Sequence, residues 1–169
     1  MLEAAAEMTA CIPRLRRYAR ALVGNPAAAD DLVQDTVERG WSRIAEWQRE
    51  REMRAWLFGI MHNLHVDALR ARRLQTTALD DDMPEPSHAS NPAAGLEVRD
   101  MQAALDVLPL EQREILLLVG LEGMSYDQVA GALGMPLGTV MSRLSRGREK
   151  LRTLMEGRAA PVLPLQVVK

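Results

Sequence analysis

The chain has few aromatic residues, a single cysteine and no long apolar run. With one Phe, two Tyr and three Trp in 169 residues, its cores depend mainly on Leu, Ala, Val and Met, which favours helices over sheets. A single cysteine, Cys11, excludes an internal disulfide and fits a cytoplasmic protein. No apolar run approaches the roughly 20 residues of a membrane span, and no signal peptide is indicated. We therefore expect an all-α protein without membrane insertion.

Charge is spread unevenly, although the formal net charge is only −2. Residues 76–98 carry five acidic and no basic side chains, three prolines and no apolar period, which is typical of a flexible linker. The sequence on either side is nearly neutral. We therefore expect two small helical domains, over residues 1–75 and 99–158, joined by this acidic linker and followed by a tail at residues 159–169.

Two helices are predicted at the start of the first domain. The first covers residues 5–22, and its regular part should begin near Ile12 because Pro13 interrupts the pattern. Asn25-Pro26 resembles an N-cap followed by proline at the first helical position, and a second helix should run from there to Ile44.

The second helix has two faces. Its apolar stripe includes Trp41, which we expect in the core. The other face is either a solvated surface or a docking face for a basic protein partner. That polar face consists of Asp30, Asp31, Gln34, Asp35 and Glu38.

A charged loop at residues 46–52 precedes a third helix over residues 53–73. Trp56 lies on the apolar stripe of this helix and should be a core residue, whereas Trp47 is either a core residue or a stacking platform for an unpaired base. Asn63, Asp67 and Arg70 share one face. Arg70, Arg72 and Arg73 form a basic end that either stabilises the helix C-terminus or contacts phosphate.

The second domain should contain helices at residues 96–107 and 110–119, followed by a helix–turn–helix pair. Ser125 and Gln128 form a capping box at the start of the pair, Gly134 can end its first helix, and Pro136 can begin the next. This spacing favours insertion into the DNA major groove over an ordinary amphipathic helix.

The second helix of the pair should present one packed and one polar side. The expected packed residues are Leu137, Val140, Leu144, Leu151 and Met155. Arginine on the polar side can make a bidentate contact to guanine or bind phosphate, and serine and threonine can do either. The candidate DNA contacts are Thr139, Ser142, Arg143, Arg146 and Lys150.

No catalytic or metal-binding pattern is present in the sequence. His62, His65 and His88 lack the partners of a clear metal site, and no Gly-rich phosphate loop, nucleophile elbow or HExxH motif occurs. We therefore expect neither a cofactor nor an enzymatic activity.

Two sets of sequence motifs, one on each side of the acidic linker, resemble those of the extracytoplasmic-function group of bacterial sigma factors. The N-terminal set comprises residues 29–36 with Trp41, residues 54–64 and residues 67–70. The C-terminal set comprises Leu108-Pro109, residues 112–114, residues 122–126 and residues 138–144.

This resemblance implies a role for each part. The acidic face of the second helix would bind core RNA polymerase, whose β′ clamp and β subunit hold such proteins. Trp47 and its loop would capture a flipped base, and the third helix would contact the promoter −10 element through Asn63, Asp67, Arg70, Arg72 and Arg73. The second helix of the pair would read the −35 element. An anti-sigma factor would hold the protein inactive.

Two residues depart from the family pattern. Met141 stands where lysine is frequent, and its presence should weaken phosphate contact. Gly147 stands where alanine is frequent, and an interior glycine costs about 1 kcal/mol, so the helix is expected to fray beyond it.

The alternative to a sigma factor is a stand-alone helix–turn–helix regulator with an unrelated helical domain, which would bind a palindrome as a dimer without polymerase.

Overall fold

The structure is a computed structural model that describes residues 2–48, 50–78 and 95–159. Every regular element in these ranges is helical, which confirms the expected fold class. The α-helices are α1 (Leu2–Val23), α2 (Pro26–Ser42), α3 (Met53–Ala78), α4 (Leu96–Val107), α5 (Leu110–Leu116), α6 (Tyr126–Leu133) and α7 (Leu137–Ala159). A 3₁₀ turn at Ile44–Glu46 follows α2, and a π-helical turn at Leu117–Leu121 extends α5.

The core is continuous between an N-terminal half, α1–α3, and a C-terminal half, α4–α7. In the N-terminal half the rings of Tyr18 and Phe58 meet edge to face, with centroids 4.9 Å apart. In the C-terminal half Ile115, Val129 and Val140 are fully buried. We call the contact region between the two halves the domain seam; α3 packs on α6 there, and α1 packs on α4 and on the π-helical turn.

Helix α1 is regular through Pro13 and begins ten residues earlier than Ile12, so the expected late start was wrong. Proline removes one helical hydrogen bond and costs about 3 kcal/mol. Ala4 and Met8 before the proline are buried on the same side as Leu15 and Leu22 after it. Their burial at about 25 cal/mol per Å² of apolar surface offsets the lost bond.

Helix α2 begins as predicted, because the side chain of Asn25 accepts a hydrogen bond from the backbone N–H of Ala28 at 3.0 Å. The assignment of Trp41 to the core was wrong, since it is 47% exposed. The buried stripe ends at Gly40, where α2 lies close to α3, and the next position turns about 100° away from it. Trp56 on α3 is partly buried against the core.

Helical residues occupy both ends of the predicted linker, because α3 continues to Ala78 and α4 starts at Leu96. The acidic middle of that linker, including His88, lies outside the described residues. Residues 160–169 of the predicted tail do so as well.

Gly147 lies where α7 crosses α5, and α7 continues for twelve residues beyond it, so the expected fraying was wrong. A Cβ added at Gly147 would lie 3.1 Å from Cδ1 of Leu116 and 3.3 Å from Cβ of Gln112. The missing side chain therefore allows close helix packing, and this contact compensates for the low helix propensity of glycine.

We predict that Gly147→Leu lowers the free energy of unfolding by about 1–3 kcal/mol, because the new side chain overpacks the contact with Leu116. Gly131→Leu is the matched control. A Cβ at Gly131 on α6 meets no atom within 4 Å, so only helix propensity changes there, and the free energy should rise by up to about 1 kcal/mol. Urea unfolding measures both. Equal effects at the two positions would contradict the packing role of Gly147.

Candidate nucleic-acid interface

Helices α6 and α7 form the predicted helix–turn–helix pair. Oγ of Ser125 accepts a hydrogen bond from the backbone N–H of Gln128 at 3.2 Å, and Oε1 of Gln128 accepts one from the backbone N–H of Ser125 at 2.9 Å, which completes the capping box. Gly134 ends α6 at φ 62°, in the left-handed region. The backbone N–H of Val140 donates to the carbonyl of Pro136 at 3.2 Å, which begins α7 as predicted.

The packing of α7 defines which of its residues face outward. Val140, Leu144 and Gly147 lie on its buried side. Since consecutive helical residues are 100° apart, the opposite side is fixed by these three. We call that exposed side the outer face of α7; it consists of Gly138, Met141, Ser142, Ser145, Arg146 and Glu149, and Arg148 is exposed on its flank beyond Met141.

The five candidate contacts on α7 are divided between two rows. Ser142 and Arg146 belong to the outer face. Thr139, Arg143 and Lys150 form a second row about 100° around the helix from its centre. In that row Nη2 of Arg143 pairs with Oε2 of Glu111 on α5 at 3.2 Å, and the Arg143 side chain is only 29% exposed.

The sequence also misplaced Leu137, which was assigned to the packed side but is 41% exposed. Leu137 begins α7, where fewer neighbouring elements cover the helix. The outer face moreover includes Gly138, Ser145 and Glu149, which were not among the candidate DNA contacts. A period counted from the buried Val140 and Leu144 would have placed them there.

The candidate residues on α3 form one exposed row. Asn63, Asp67 and Arg70 are spaced four and three residues apart and all face solvent, and Asp67 and Arg70 approach within 3.9 Å. Arg72 and Arg73 are also exposed, but Arg73 lies about 60° and Arg72 about 160° around the helix from Arg70. The cations at this end of α3 are therefore at the surface, on more than one side of the helix, where they can attract phosphate.

Trp47 lies in the turn between α2 and α3. Its ring is partly buried against the core, and its ring N–H donates to the carbonyl of Arg51 at 3.0 Å. Arg43 and Glu46 brace the same turn with a contact of 2.6 Å. The indole is therefore held in place, whereas the other described residues of the loop are exposed.

All five residues of the acidic face of α2 are exposed. Asp30 pairs with Arg16 at 3.3 Å and with Arg20 at 3.8 Å on α1. Asp31 and Asp35 have no ion-pair partner among the described residues. The face borders an open depression of about 500 Å³ lined by Asp35, Glu38, Arg39, Ser42 and Leu64.

Glu122 anchors the domain seam. Its side chain is fully buried, and Nε and Nη2 of Arg17 on α1 donate to its Oε1 at 3.0 and 2.8 Å. Nη1 of Arg54 on α3 donates to the Glu122 carbonyl at 2.7 Å. A buried carboxylate of the C-terminal half thus depends on cations of the N-terminal half.

A second carboxylate, Glu114 on α5, lies in the same seam. It is 2% exposed, and its Oε1 lies 2.9 Å from Nδ1 of His62 on α3. Burial raises the pKa of Tyr18 well above its usual value of 10, and the nearby Glu114 and Glu122 raise it further. His62 is therefore a seam residue, and within the described ranges no cluster of side chains could hold a metal ion.

The C-terminal end of α1 is also capped across the seam. Nε2 of Gln102 donates to the carbonyl of Ala21 at 3.0 Å, and Nη1 of Arg113 donates to that of Leu22 at 2.9 Å. These carbonyls have no partner within a helix that ends there. Burial lowers the pKa of Arg113, while Asp106 counteracts that effect by stabilising the cation.

These seam residues are the functional feature that sequence reasoning missed. The available signal was the position of Glu114 and Glu122 among buried apolar residues, where an acid requires a partner. None of the described helices is long and apolar enough to cross a bilayer.

Comparison with known proteins defines the class. A family model for the Sigma2 domain of PhyR matches residues 8–62, and one for sigma-70 region 4 matches residues 99–151. The ECF RNA polymerase sigma factor EcfG of Rhodopseudomonas palustris is 39% identical over 150 residues, which cover 88% of this chain and 83% of that protein.

Solved structures agree. The sigma factor RpoE of Bartonella quintana, in complex with the anti-sigma factor NepR, shares 33% identity at a TM-score of 0.85, over 92% of this chain and 98% of that one. CnrH, in complex with the cytosolic domain of CnrY, shares 27% at a TM-score of 0.66, over 92% and 94%. The fold is that of a two-domain transcription initiation factor. The chain belongs to the extracytoplasmic-function group of bacterial RNA polymerase sigma factors.

We predict that His65 on α3 stays neutral below the usual histidine range, because burial lowers its pKa and Glu114 only partly opposes this effect. His65 in the unfolded chain binds a proton at about pH 6.5, whereas in the folded chain it binds one only at lower pH. The free energy of unfolding should fall as the pH drops below 6.5, and His65→Gln should reduce that fall. Urea unfolding and NMR titration test this; a His65 midpoint at or above 6.5 would contradict it.

Proposed function

We propose that this sigma factor binds core RNA polymerase through the acidic face of α2, contacts the −10 element through α3 and reads the −35 element through α7. The observation that carries the proposal is that all three surfaces are exposed, whereas the seam carboxylates Glu114 and Glu122 are buried. Such a protein acts beside polymerase in the cytoplasm and regulates transcription without catalysing a reaction.

On the acidic face, Asp31 and Asp35 would contribute most to polymerase binding. The charge of Asp30 is already compensated by Arg16 and Arg20, and Gln34 donates to Glu38 at 3.0 Å. A basic element such as the β′ clamp would complement the remaining carboxylates and accelerate association.

On the DNA side, Arg70, Arg72 and Arg73 would position the −10 strand through phosphates, with Asn63 and Asp67 beside them. The braced Trp47 would stack on a base that leaves the duplex. On α7, Ser142 and Arg146 face outward and Lys150 is exposed, so they can contact DNA directly, and the partly buried Thr139 lies beside them. Arg143 would have to exchange Glu111 for a base or phosphate.

We further propose that an anti-sigma partner controls this chain. One similar protein was solved with the anti-sigma factor NepR and superposes at a TM-score of 0.85 on the arrangement described above, and a second was solved with the cytosolic domain of CnrY. The contacts of the domain seam would favour that closed arrangement before the partner binds, so the partner would recognise a surface that already exists.

The closed arrangement is too short for a promoter. The −10 and −35 elements lie about 25 base pairs apart, or roughly 85 Å at 3.4 Å per base pair. A compact chain of this length has a radius of gyration of about 15 Å. The 16 residues between the described halves can span up to about 55 Å. Separation of the two halves at the seam would therefore accompany promoter binding.

We predict that Asp31→Lys combined with Asp35→Lys weakens binding to core polymerase at least about tenfold, because the acidic face loses its attraction for a basic element. Glu7→Lys combined with Glu97→Lys changes the net charge equally at exposed sites on α1 and α4, outside the three surfaces, and it should have no effect. Fluorescence anisotropy with purified core measures both affinities.

Three measurements separate the alternatives. Unchanged affinity in the first double variant would remove α2 from the interface. A tight shift of palindromic DNA without core would indicate the stand-alone regulator. Run-off transcription on genomic fragments then identifies the promoter. If no fragment is transcribed although the chain binds an anti-sigma protein, the chain only sequesters that protein and does not initiate transcription.

We predict that Arg17→Ala and Gly59→Ala both open the chain. The first leaves Glu122 buried without its cation, which typically costs 3–5 kcal/mol. The second places a Cβ 2.9 Å from the carbonyl oxygen of Ala132 on α6, although alanine suits the interior of α3 better than glycine. Core affinity should rise about tenfold for each 1.4 kcal/mol of closed-state stability removed.

Small-angle X-ray scattering should show a larger radius of gyration for both variants. Arg16→Ala is the matched control, since Arg16 neighbours Arg17 but pairs with Asp30 inside the N-terminal half. If both seam variants stay as compact as the wild type and bind core equally well, opening of the seam is not part of the function.

A further inference from the structure

The N-terminal end of the outer face of α7 is unusually apolar for a surface expected to meet DNA. Met141 is 51% exposed, and Leu137, one turn earlier on the same helix, is 41% exposed. Tyr126, the first residue of α6, is 36% exposed and lines an open depression together with Met141, Ser145 and Arg148. Three large apolar side chains thus lie next to one another where a solvated face would carry charge.

The position of this patch matches the part of a helix–turn–helix pair that meets base edges. The N-terminal turns of the second helix enter the major groove, and Leu137 and Met141 lie in those turns. Gly138 lies beside them, and a Cβ there would meet no atom of the protein within 4 Å. No packing requirement explains this glycine, and its small size lets the helix backbone approach a ligand closely.

The surrounding charges favour DNA over an apolar protein partner. Arg148 is exposed and lines the depression with Met141, and Arg146 is exposed farther around the helix. Glu149 lines the depression as well, but its charge is compensated. Arg152, farther along, is committed to Glu149 and Glu156 at 2.6 and 2.7 Å. Cations at the edges and apolar atoms at the centre reproduce the division of a DNA interface into phosphate contacts and base contacts.

In the major groove the one apolar group that distinguishes a base pair is the C5-methyl of thymine. Methionine is unbranched and polarizable, so it can adapt its shape to that methyl group. We propose that Met141, supported by Leu137, reads a thymine methyl in the −35 element, so that this sigma factor obtains part of its promoter specificity from apolar contact. The proposal rests on the assignment of the −35 element to α7.

The test uses the holoenzyme and a promoter duplex recovered by run-off transcription. Thymidines of the −35 element are replaced one at a time by deoxyuridine, which removes only the methyl group. Loss of one buried methyl corresponds to about fourfold in affinity. We expect that loss at one or more positions with the wild type, no further loss at those positions with Met141→Ala, and retention of the methyl preference with Met141→Leu.

Two controls make the result specific. Met101→Ala removes an equally flexible methionine that is 40% exposed on α4, outside both DNA-facing helices, and should leave the methyl preference unchanged. Deoxyuridine placed between the two elements should have no effect on binding.

Each opposite result overturns the proposal. If the wild type binds deoxyuridine and thymidine duplexes equally, or if Met141→Ala keeps the full methyl preference, Met141 does not read thymine while α7 still binds the −35 element. If the methyl has no effect and Met141→Ala instead weakens capture of an anti-sigma protein, the patch is a protein-docking surface. If the wild-type holoenzyme ignores the −35 sequence altogether, the assignment of α7 fails as well.

Discussion

The ion pair between the half-exposed Arg17 and the buried Glu122 is the interaction on which the arrangement of this protein depends. Glu122 belongs to the C-terminal half, but its side chain is fully buried against the N-terminal half. A buried carboxylate is stabilised only by a cation and hydrogen bonds, and removing its partner is far more costly than exposing both. In the closed arrangement Glu122 therefore keeps its cation. When the two halves separate, Glu122 is exposed to water and is not left buried without a partner. Pairs of this kind contribute little net stability, but they specify geometry, which suits a contact that has to be reversible.

The seam leaves the outer surfaces available. Close packing of α3 on α6 requires Gly59, because a Cβ at this position would lie 2.9 Å from the carbonyl oxygen of Ala132. The row of Asn63, Asp67 and Arg70 lies on another, exposed side of α3, and the outer face of α7 points away from its buried side. Closure would therefore limit the reach of the two helices proposed to bind DNA without covering them. It would regulate the protein through the distance that its two halves can span along the promoter.

Much of the fold followed from local patterns, and the errors have identifiable physical causes. The capping box of Ser125 and Gln128 and the N-cap Asn25 marked helix starts because these interactions are complete within a few residues. Pro13 and Gly147 misled local reasoning because tertiary packing outweighs a propensity penalty of a few kcal/mol. Trp41 and Leu137 were misplaced because periodicity identifies a stripe but not its edges. The seam was missed because its pairs join residues as much as 105 positions apart, and no local pattern encodes such contacts.

Met141 and Gly147 both depart from the family pattern in the same helix, and sequence reasoning treated both as weakening it. The structure separates them: Gly147 faces α5 and strengthens packing, whereas Met141 faces outward. Replacing a cation by methionine on the outer face lowers the number of phosphates that α7 can neutralise, and each such contact contributes to the salt dependence of binding. Apolar contact with a base edge has no such dependence. Under the proposed function, Met141 on this face would therefore shift the balance from general attraction for DNA toward discrimination between sequences. A sigma factor can use that balance, because core polymerase supplies the general attraction that its own helix gives up.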